Sequence, residues 1–186
     1  NYFKNIFSVQ SSSDFFNLLG QFSMKGICGF FGMDVDADAK NSSQNVIYLC
    51  QSGLGMPDRD YYFLENKSEE REKYKEYLVK IFENFEMGDV QEITSKVYEI
   101  EEQLAKVSQT RTERRDPHLT YNEVTFKKLC EDYPNIDWIA YINNTFLCDH
   151  SEWTSLNETK FVIDNPKFFE EVNSMLEKYN FIELQW

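Results

Sequence analysis

Histidine is nearly absent from this chain: its 186 residues contain only His118 and His150. Basic residues are outnumbered, 19 Lys and Arg against 32 Asp and Glu, which leaves a formal charge of −13. That balance argues against nucleic acid as a partner, because phosphate binding needs clustered Lys and Arg. It argues equally against an anionic membrane surface. No apolar run approaches the roughly 20 residues that a membrane-spanning helix needs. The chain opens Asn1-Tyr-Phe-Lys, with no initiator Met and no signal-peptide pattern, and so reads as a piece of a longer protein. Its four cysteines, Cys28, Cys50, Cys130 and Cys148, include no Cys-x-x-Cys pair, so metal-clip and thioredoxin-like readings fail. Their spacing permits two disulfides without demanding either. No linker-like stretch and no internal repeat interrupts the chain.

What is present is apolar and aromatic. Hydrophobic residues make up 41% and aromatics 16%, enough to exclude a disordered chain and to build the core of one domain over residues 1–186. Ser13 is placed to cap a short helix with Phe15, Phe16, Leu18, Leu19 and Phe22 on its apolar side. Phe31, Met33 and Val35 alternate with Gly32, Asp34 and Asp36, the period of a half-buried strand. Val46 to Leu49 reads as the returning strand of a β-hairpin closed over the polar residues between. From Ser68 the period becomes helical, with Tyr74, Tyr77, Leu78, Ile81, Phe82 and Phe85 on one stripe. Gly88 marks its end, and Asp89 caps a second helix whose Ile93, Val97, Ile100, Leu104 and Val107 repeat at alternating fours and threes. That pair is expected to form an antiparallel helix hairpin. Shorter helices are expected after Thr125 and Asp137, a strand at Lys160 to Ile163, a helix capped by Asn165 with Pro166 in its first turn, and the start of another at Phe181 to Trp186. The predicted fold class is mainly α: a helical domain with an antiparallel helix hairpin and one small β-hairpin.

The most distinctive stretch is Gln51-Ser-Gly-Leu-Gly-Met-Pro-Asp-Arg-Asp-Tyr-Tyr62. It lies between the returning strand and the long helical pattern, with Gly53, Gly55 and Pro57 to shape the backbone. Together with Asp38-Ala-Lys-Asn-Ser42 upstream, its order and spacing resemble the non-catalytic half of the neprilysin/endothelin-converting-enzyme family of zinc metallopeptidases. The resemblance continues through Tyr74-Lys-Glu-Tyr-Leu78, Glu99-Ile-Glu-Glu-Gln-Leu-Ala105, Glu113-Arg-Arg-Asp-Pro117, Tyr121-Asn122, Ile136-Asp-Trp138 and Asn165-Pro-x-Phe-Phe169. Two departures stand out. Cys50 occupies the place of an Asp that often precedes the motif's Gln. Residues 63–74 also lack the close cysteine pair of several animal members.

The resemblance implies the helical half that covers the active site, with a zinc-bearing catalytic half to follow. Zinc would belong to the full-length enzyme, and none is expected to bind this chain. Peptides would be its substrates, cleaved on the amino side of hydrophobic residues, and the missing catalytic half its partner. The chain alone would be inactive. An extracellular or membrane-anchored ectodomain is implied, with a cytoplasmic bacterial-type member as the other possibility. The sequons at Asn41, Asn66, Asn143 and Asn157 lean toward secretion.

The chain's own residues offer little chemistry of that kind. A zincin needs two histidines one helical turn apart with a Glu between them, and neither His118 nor His150 sits in such a pattern. His118 and the stretch Asp149-His-Ser-Glu152 read as polar loop. Asp34-Val-Asp-Ala-Asp38 fails as a calcium loop at Ala39 and Asn45. As an aspartyl-phosphate site it is outweighed by the reading of an acidic hairpin end. Arg111, Arg114 and Arg115 could grip a carboxylate, but pairing within this acidic chain is the stronger reading. No catalytic residue is assigned and substrate-binding residues remain unknown. The alternative function is a stand-alone, non-catalytic helical module that binds proteins or peptides.

Overall fold

A computed structural model describes residues 6–146 and 156–179. The helices are α1 (Ser12–Ser23), α2 (Asp60–Phe63), α3 (Ser68–Asn84), α4 (Val90–Val107), α5 (Pro117–Thr120), α6 (Phe126–Asp132), α7 (Trp138–Phe146) and α8 (Pro166–Lys178). The strands are β1 (Phe31–Asp38), β2 (Asn41–Gln51), β3 (Asn122–Thr125) and β4 (Lys160–Ile163). The class is mainly α, as expected. The hairpin, however, belongs to a four-stranded sheet ordered β1-β2-β4-β3.

β1 and β2 pair antiparallel with Phe31 opposite Gln51 and Val35 opposite Ile47. The turn is tighter than the polar run suggests, because residues 41–45 continue as strand. They do so as a hairpin tip beyond the reach of β4, where both faces meet water and polar side chains suit a strand. β2 then pairs in parallel with β4 through Ile47 to Leu49 and Phe161 to Ile163. The four-residue strand β3 pairs antiparallel on the far side of β4. Neither pairing leaves a local sequence signal, since the partners lie more than a hundred and some forty residues apart.

Local chemistry sets most helix ends. Ser11, rather than Ser13, caps α1 by accepting from Asp14 N–H. Asp89, Thr125 and Asn165 accept from the amides of Glu92, Lys128 and Phe168 in the same manner. The α3–α4 turn is made by Glu86, which takes the left-handed conformation (φ 53°) expected of Gly88.

The core lies between the sheet and α1, α7 and α8. Phe31 is its centre, with ring centroids 4.9 Å from Tyr141, 5.3 Å from Phe169 and 5.5 Å from Trp138. Such offset and tilted contacts add to the burial term. α1 crosses α7 so closely that a Cβ on Gly20 would lie 2.5 Å from the Tyr141 carbonyl oxygen. The glycine that weakens the helix pattern is therefore what lets the helices meet.

α3 and α4 form the expected hairpin around Leu78, Phe82 and Ile93. The stripe on α3 is narrower than predicted. Tyr77 and Phe85 remain 56% and 49% exposed, because α4 covers only one side of α3. Leu104, 1% exposed, instead joins the main core. Truncating Phe82 or Leu104 to Ala is therefore expected to cost about 2–5 kcal/mol in chemical denaturation. Tyr77→Ala should stay within about 0.5 kcal/mol. A loss below about 1 kcal/mol for both buried positions would contradict this packing.

Candidate functional site

The signature stretch leaves β2 at Gln51, where the ends of three elements are tied together. Gln51 N–H donates to both carboxylate oxygens of Asp164, 3.1 Å each, just beyond β4. Its side-chain oxygen accepts from Gln109 N–H (2.9 Å) and from the Asn165 side-chain amide (2.8 Å). Asn165 also donates to the Val107 carbonyl at the end of α4 (2.8 Å), and Gln109 donates to the Asp164 carbonyl (3.1 Å). Asn165 therefore caps α8 while holding α4 and β2. Burial pushes the Asp164 carboxyl up to about 6, against the opposing pull of the Gln51 amide and Arg114.

The stretch next passes between α3 and α4. Gly53 has φ +84°, and a Cβ there would press on the Gly29 carbonyl and Leu104 at 3.2 Å. Gly55 faces a harder limit, because a Cβ would lie 1.9 Å from the Tyr74 hydroxyl oxygen. Behind it Glu101, 9% exposed, accepts from the hydroxyls of Tyr62 and Tyr74, 2.7 Å each. Burial raises the Glu101 carboxyl above its usual range, with the two tyrosines opposing the shift. The Tyr62 hydroxyl also accepts from Met56 N–H, so the second Tyr of the motif closes the loop onto its own start.

The charged residues of the motif anchor it as well. Arg59 Nε donates to the Ala105 carbonyl (3.2 Å). Asp58 accepts from Asp60 N–H and pairs with Arg111 at 2.7 Å. Arg111 is thus committed to structure, as the pairing argument predicts. Arg59, Arg111 and Arg114 rim a polar cleft of about 290 Å³ floored by Gln51, Ser108 and Gln109. On the other side of the stretch an apolar groove of about 390 Å³ runs between Phe15, Leu19, Phe30, Leu54, Ile100 and Leu104, with Glu101 at its edge.

A second cluster explains Asp38-Ala-Lys-Asn-Ser42. Asp38 is 2% exposed and accepts from Lys160 Nζ (2.7 Å), the Tyr121 hydroxyl (2.6 Å) and Lys40 N–H (2.8 Å). Those hydrogen bonds, Lys160 first, hold its carboxyl well below the usual range. Asp34 and Asp36 stay exposed, each accepting from the next residue's amide. The register shifts between Ala37 and Asp38, which separates the third aspartate from the first two. The acidic run is therefore half solvated and half a buried joint between β1, β3 and β4.

The profile of peptidase family M13 matches residues 1–185. The chain belongs to peptidase family M13. Endothelin-converting enzyme 1 of Cavia porcellus is 33% identical over 152 residues, covering 79% of this chain and 20% of that protein. The Homo sapiens enzyme is 33% identical over 154 residues, covering 79% and 19%. This chain thus spans about a fifth of the length of the relatives it matches. Mycobacterium tuberculosis zinc metalloprotease Zmp1, in complex with inhibitor, superposes with a TM-score of 0.88 at 23% identity over 99% of this chain and 28% of that one. PepO of Lactobacillus rhamnosis matches at 0.73 and 11% identity over 98% and 29%. At such identities the structural likeness shows the fold alone.

The residues described here do not fit the zinc that M13 membership implies. Among the described residues, no three His, Cys, Asp or Glu side chains gather where one ion could touch them all. His118 lies exposed in α5, its amide donating to Asp116. His150 and the stretch 149–152 lie outside the described residues, as do Cys148 and the helix start expected at 181–186. Among the described residues, no helix is long and apolar enough to cross a membrane.

Sequence reading missed Glu101 and Lys160 as organising charges. Glu101 carried a usable signal, because it falls four residues after Val97 and three before Leu104, on the apolar face. Lys160 carried none, since its partner Asp38 is 122 residues away.

The raised Asp164 carboxyl gives a signed pH effect. The folded chain holds that proton up to about pH 6, the unfolded chain only to about 4, so stability falls as pH rises between them. The change should be on the order of 2–3 kcal/mol. Denaturation of Asp164→Asn alongside the parent at pH 4 to 7 should show the variant's profile flattened across that window. Parallel profiles would contradict the assignment.

Proposed function

We propose that this M13 chain is the helical, substrate-enclosing part of a neprilysin-like zinc metalloendopeptidase that cleaves peptides on the amino side of hydrophobic residues. The zinc-bearing catalytic half belongs to the rest of the full-length protein, and this chain alone is inactive. The observation that carries the reading is the M13 profile over residues 1–185, joined by 33% identity to endothelin-converting enzyme 1 over 152 residues. The Zmp1 match adds the fold: 99% of this chain superposes on 28% of that protein.

Residues 1–186 act as one structural unit in this proposal. Its partners are peptide substrates and the catalytic half, and what it contributes is shape: a wall held rigid by the ties at Gln51, Asn165 and Glu101. Expression of the complete open reading frame tests it. Cleavage of a short hydrophobic peptide but not of a folded protein, abolished by chelation, is expected. Equal digestion of both would refute the enclosing role, and cleavage of neither would favour the non-catalytic binding module.

An extracellular or membrane-anchored location is part of the proposal, and it makes the sequons informative. Asn41, Asn66 and Asn157 are exposed, and Asn41 already accepts from the hydroxyl of its sequon partner Ser43 (2.7 Å). Asn143 lies partly buried within α7, where its sequon partner Thr145 donates to the Tyr141 carbonyl. Glycopeptide mapping after secretory expression should find glycan at the first three positions and little at Asn143. Full occupancy of Asn143, or none at the exposed three, would contradict this.

A further inference from the structure

We propose that Cys28 and Cys50 form a reversible disulfide that staples the loop ahead of β1 to the end of β2. Both thiols are free in this structure. Cys50 lies directly opposite Gly32 in the β1–β2 ladder. Residues directly opposite each other project their side chains to the same face, with Cβ positions about 4.5–5.5 Å apart. A Cβ on Gly32 would lie 3.4 Å from the Cys28 sulfur. The Cys28 sulfur therefore lies in van der Waals contact with the position a Gly32 side chain would take, on the face that Cys50 shares. The ladder already continues past β1, since Ser52 N–H donates to the Phe30 carbonyl at 3.2 Å. Gly32 is thus the shared neighbour of both cysteines, which is the proximity that the cross-link requires.

The two thiols have different parts to play. Cys28 is exposed, whereas Cys50 is partly buried. Burial pushes the Cys50 thiol up to about 11; Asp164, Asp34 and Cys28 add to the rise and Arg114 opposes it. A low-molecular-weight disulfide such as oxidised glutathione is thus met first by Cys28. The Cys28 thiolate attacks one sulfur of that disulfide, forming a mixed disulfide and releasing one glutathione thiol. The Cys50 thiolate then attacks the Cys28 sulfur and breaks the mixed bond. The second glutathione leaves as thiolate and takes up the proton that Cys50 has lost. Two protein thiols are oxidised and one glutathione disulfide is reduced to two thiols.

The cross-link has a structural consequence. Cys28, Gly29 and Phe30 form one wall of the apolar groove beside the signature stretch. Oxidation pins that wall to β2, and reduction releases it.

The test uses the protein expressed from its complete open reading frame, reduced, desalted and exposed to oxidised glutathione at neutral pH. Free thiols are then blocked with N-ethylmaleimide and the digest mapped by mass spectrometry. A peptide joining Cys28 to Cys50, two mass units below the summed thiols and lost on reduction, is expected. Oxidation should also raise Tm by several degrees. Cys50→Ser should instead trap glutathione on Cys28. Gly32→Val, checked for an intact fold by circular dichroism, should slow cross-linking at least tenfold by filling the shared space. Maleimide on both cysteines, glutathione persisting on Cys28 of the parent protein, or pairing of either with another cysteine would overturn the proposal.

Discussion

The rest of this fold depends on how the ends of three elements are tied at Gln51. A strand end, a helix end and a helix start converge there, and each leaves backbone groups that regular structure cannot satisfy. Gln51 and Asn165 meet that demand with side-chain amides, which donate and accept at once. Carboxylates or hydroxyls could not bridge the same set, since Asn165 must donate to two carbonyl-type oxygens and accept from Phe168 N–H in the same position. With the three ends fixed, the route of residues 51–62 is determined. The remaining constraints on that stretch are spatial: there is room at Gly55 for hydrogen only, because the end of the Tyr74 ring and the Glu101 carboxylate fill the rest.

Both clusters use ionisable groups in a structural role. Asp38 is compensated by a lysine and a tyrosine, so its charge is held. Glu101 has only hydroxyls and backbone to meet it, and its charge is disfavoured. The contrast follows from what each neighbour can supply. Perturbed carboxyls often mark reacting centres. Here they coincide with convergence points of the backbone, in a chain whose described residues gather no metal ligands.

Much of the helical architecture was readable from residues alone, because caps and apolar periodicity are local. The Asp89 and Asn165 caps, the helix start after Thr125 and the α3–α4 hairpin came out as expected. The misreadings were equally physical. Glu86 displaced Gly88 as the turn residue because local backbone closure overrode residue preference. Tyr77 and Phe85 lay on the α3 stripe yet stayed exposed, because periodicity gives a direction for burial and not its extent. The sheet was visible as its hairpin and as the strand at Lys160 to Ile163, but not as one sheet, since the β2–β4 pairing joins distant segments. For the candidate site, the signature stretch was recognisable and Arg111 was rightly assigned to pairing. The residues that hold it (Glu101, Gln109 and Asp164) were not singled out, because contacts across the fold leave no mark on neighbouring sequence.

The parallel ladder has a further consequence for how the chain is made. Ile47 pairs with Phe161, so β2 leaves the ribosome 114 residues before its partner strand exists. At ordinary elongation speeds of 5–20 residues per second, that wait is roughly 6 to 23 seconds. Throughout it the newborn hairpin presents Val46, Ile47 and Leu49, all three later buried, beside an unpaired strand edge. Such an edge is a template for wrong partners. A chain of this design therefore spends its first seconds in need of shielding, and cells short of chaperone capacity should lose it to aggregates before mature molecules suffer.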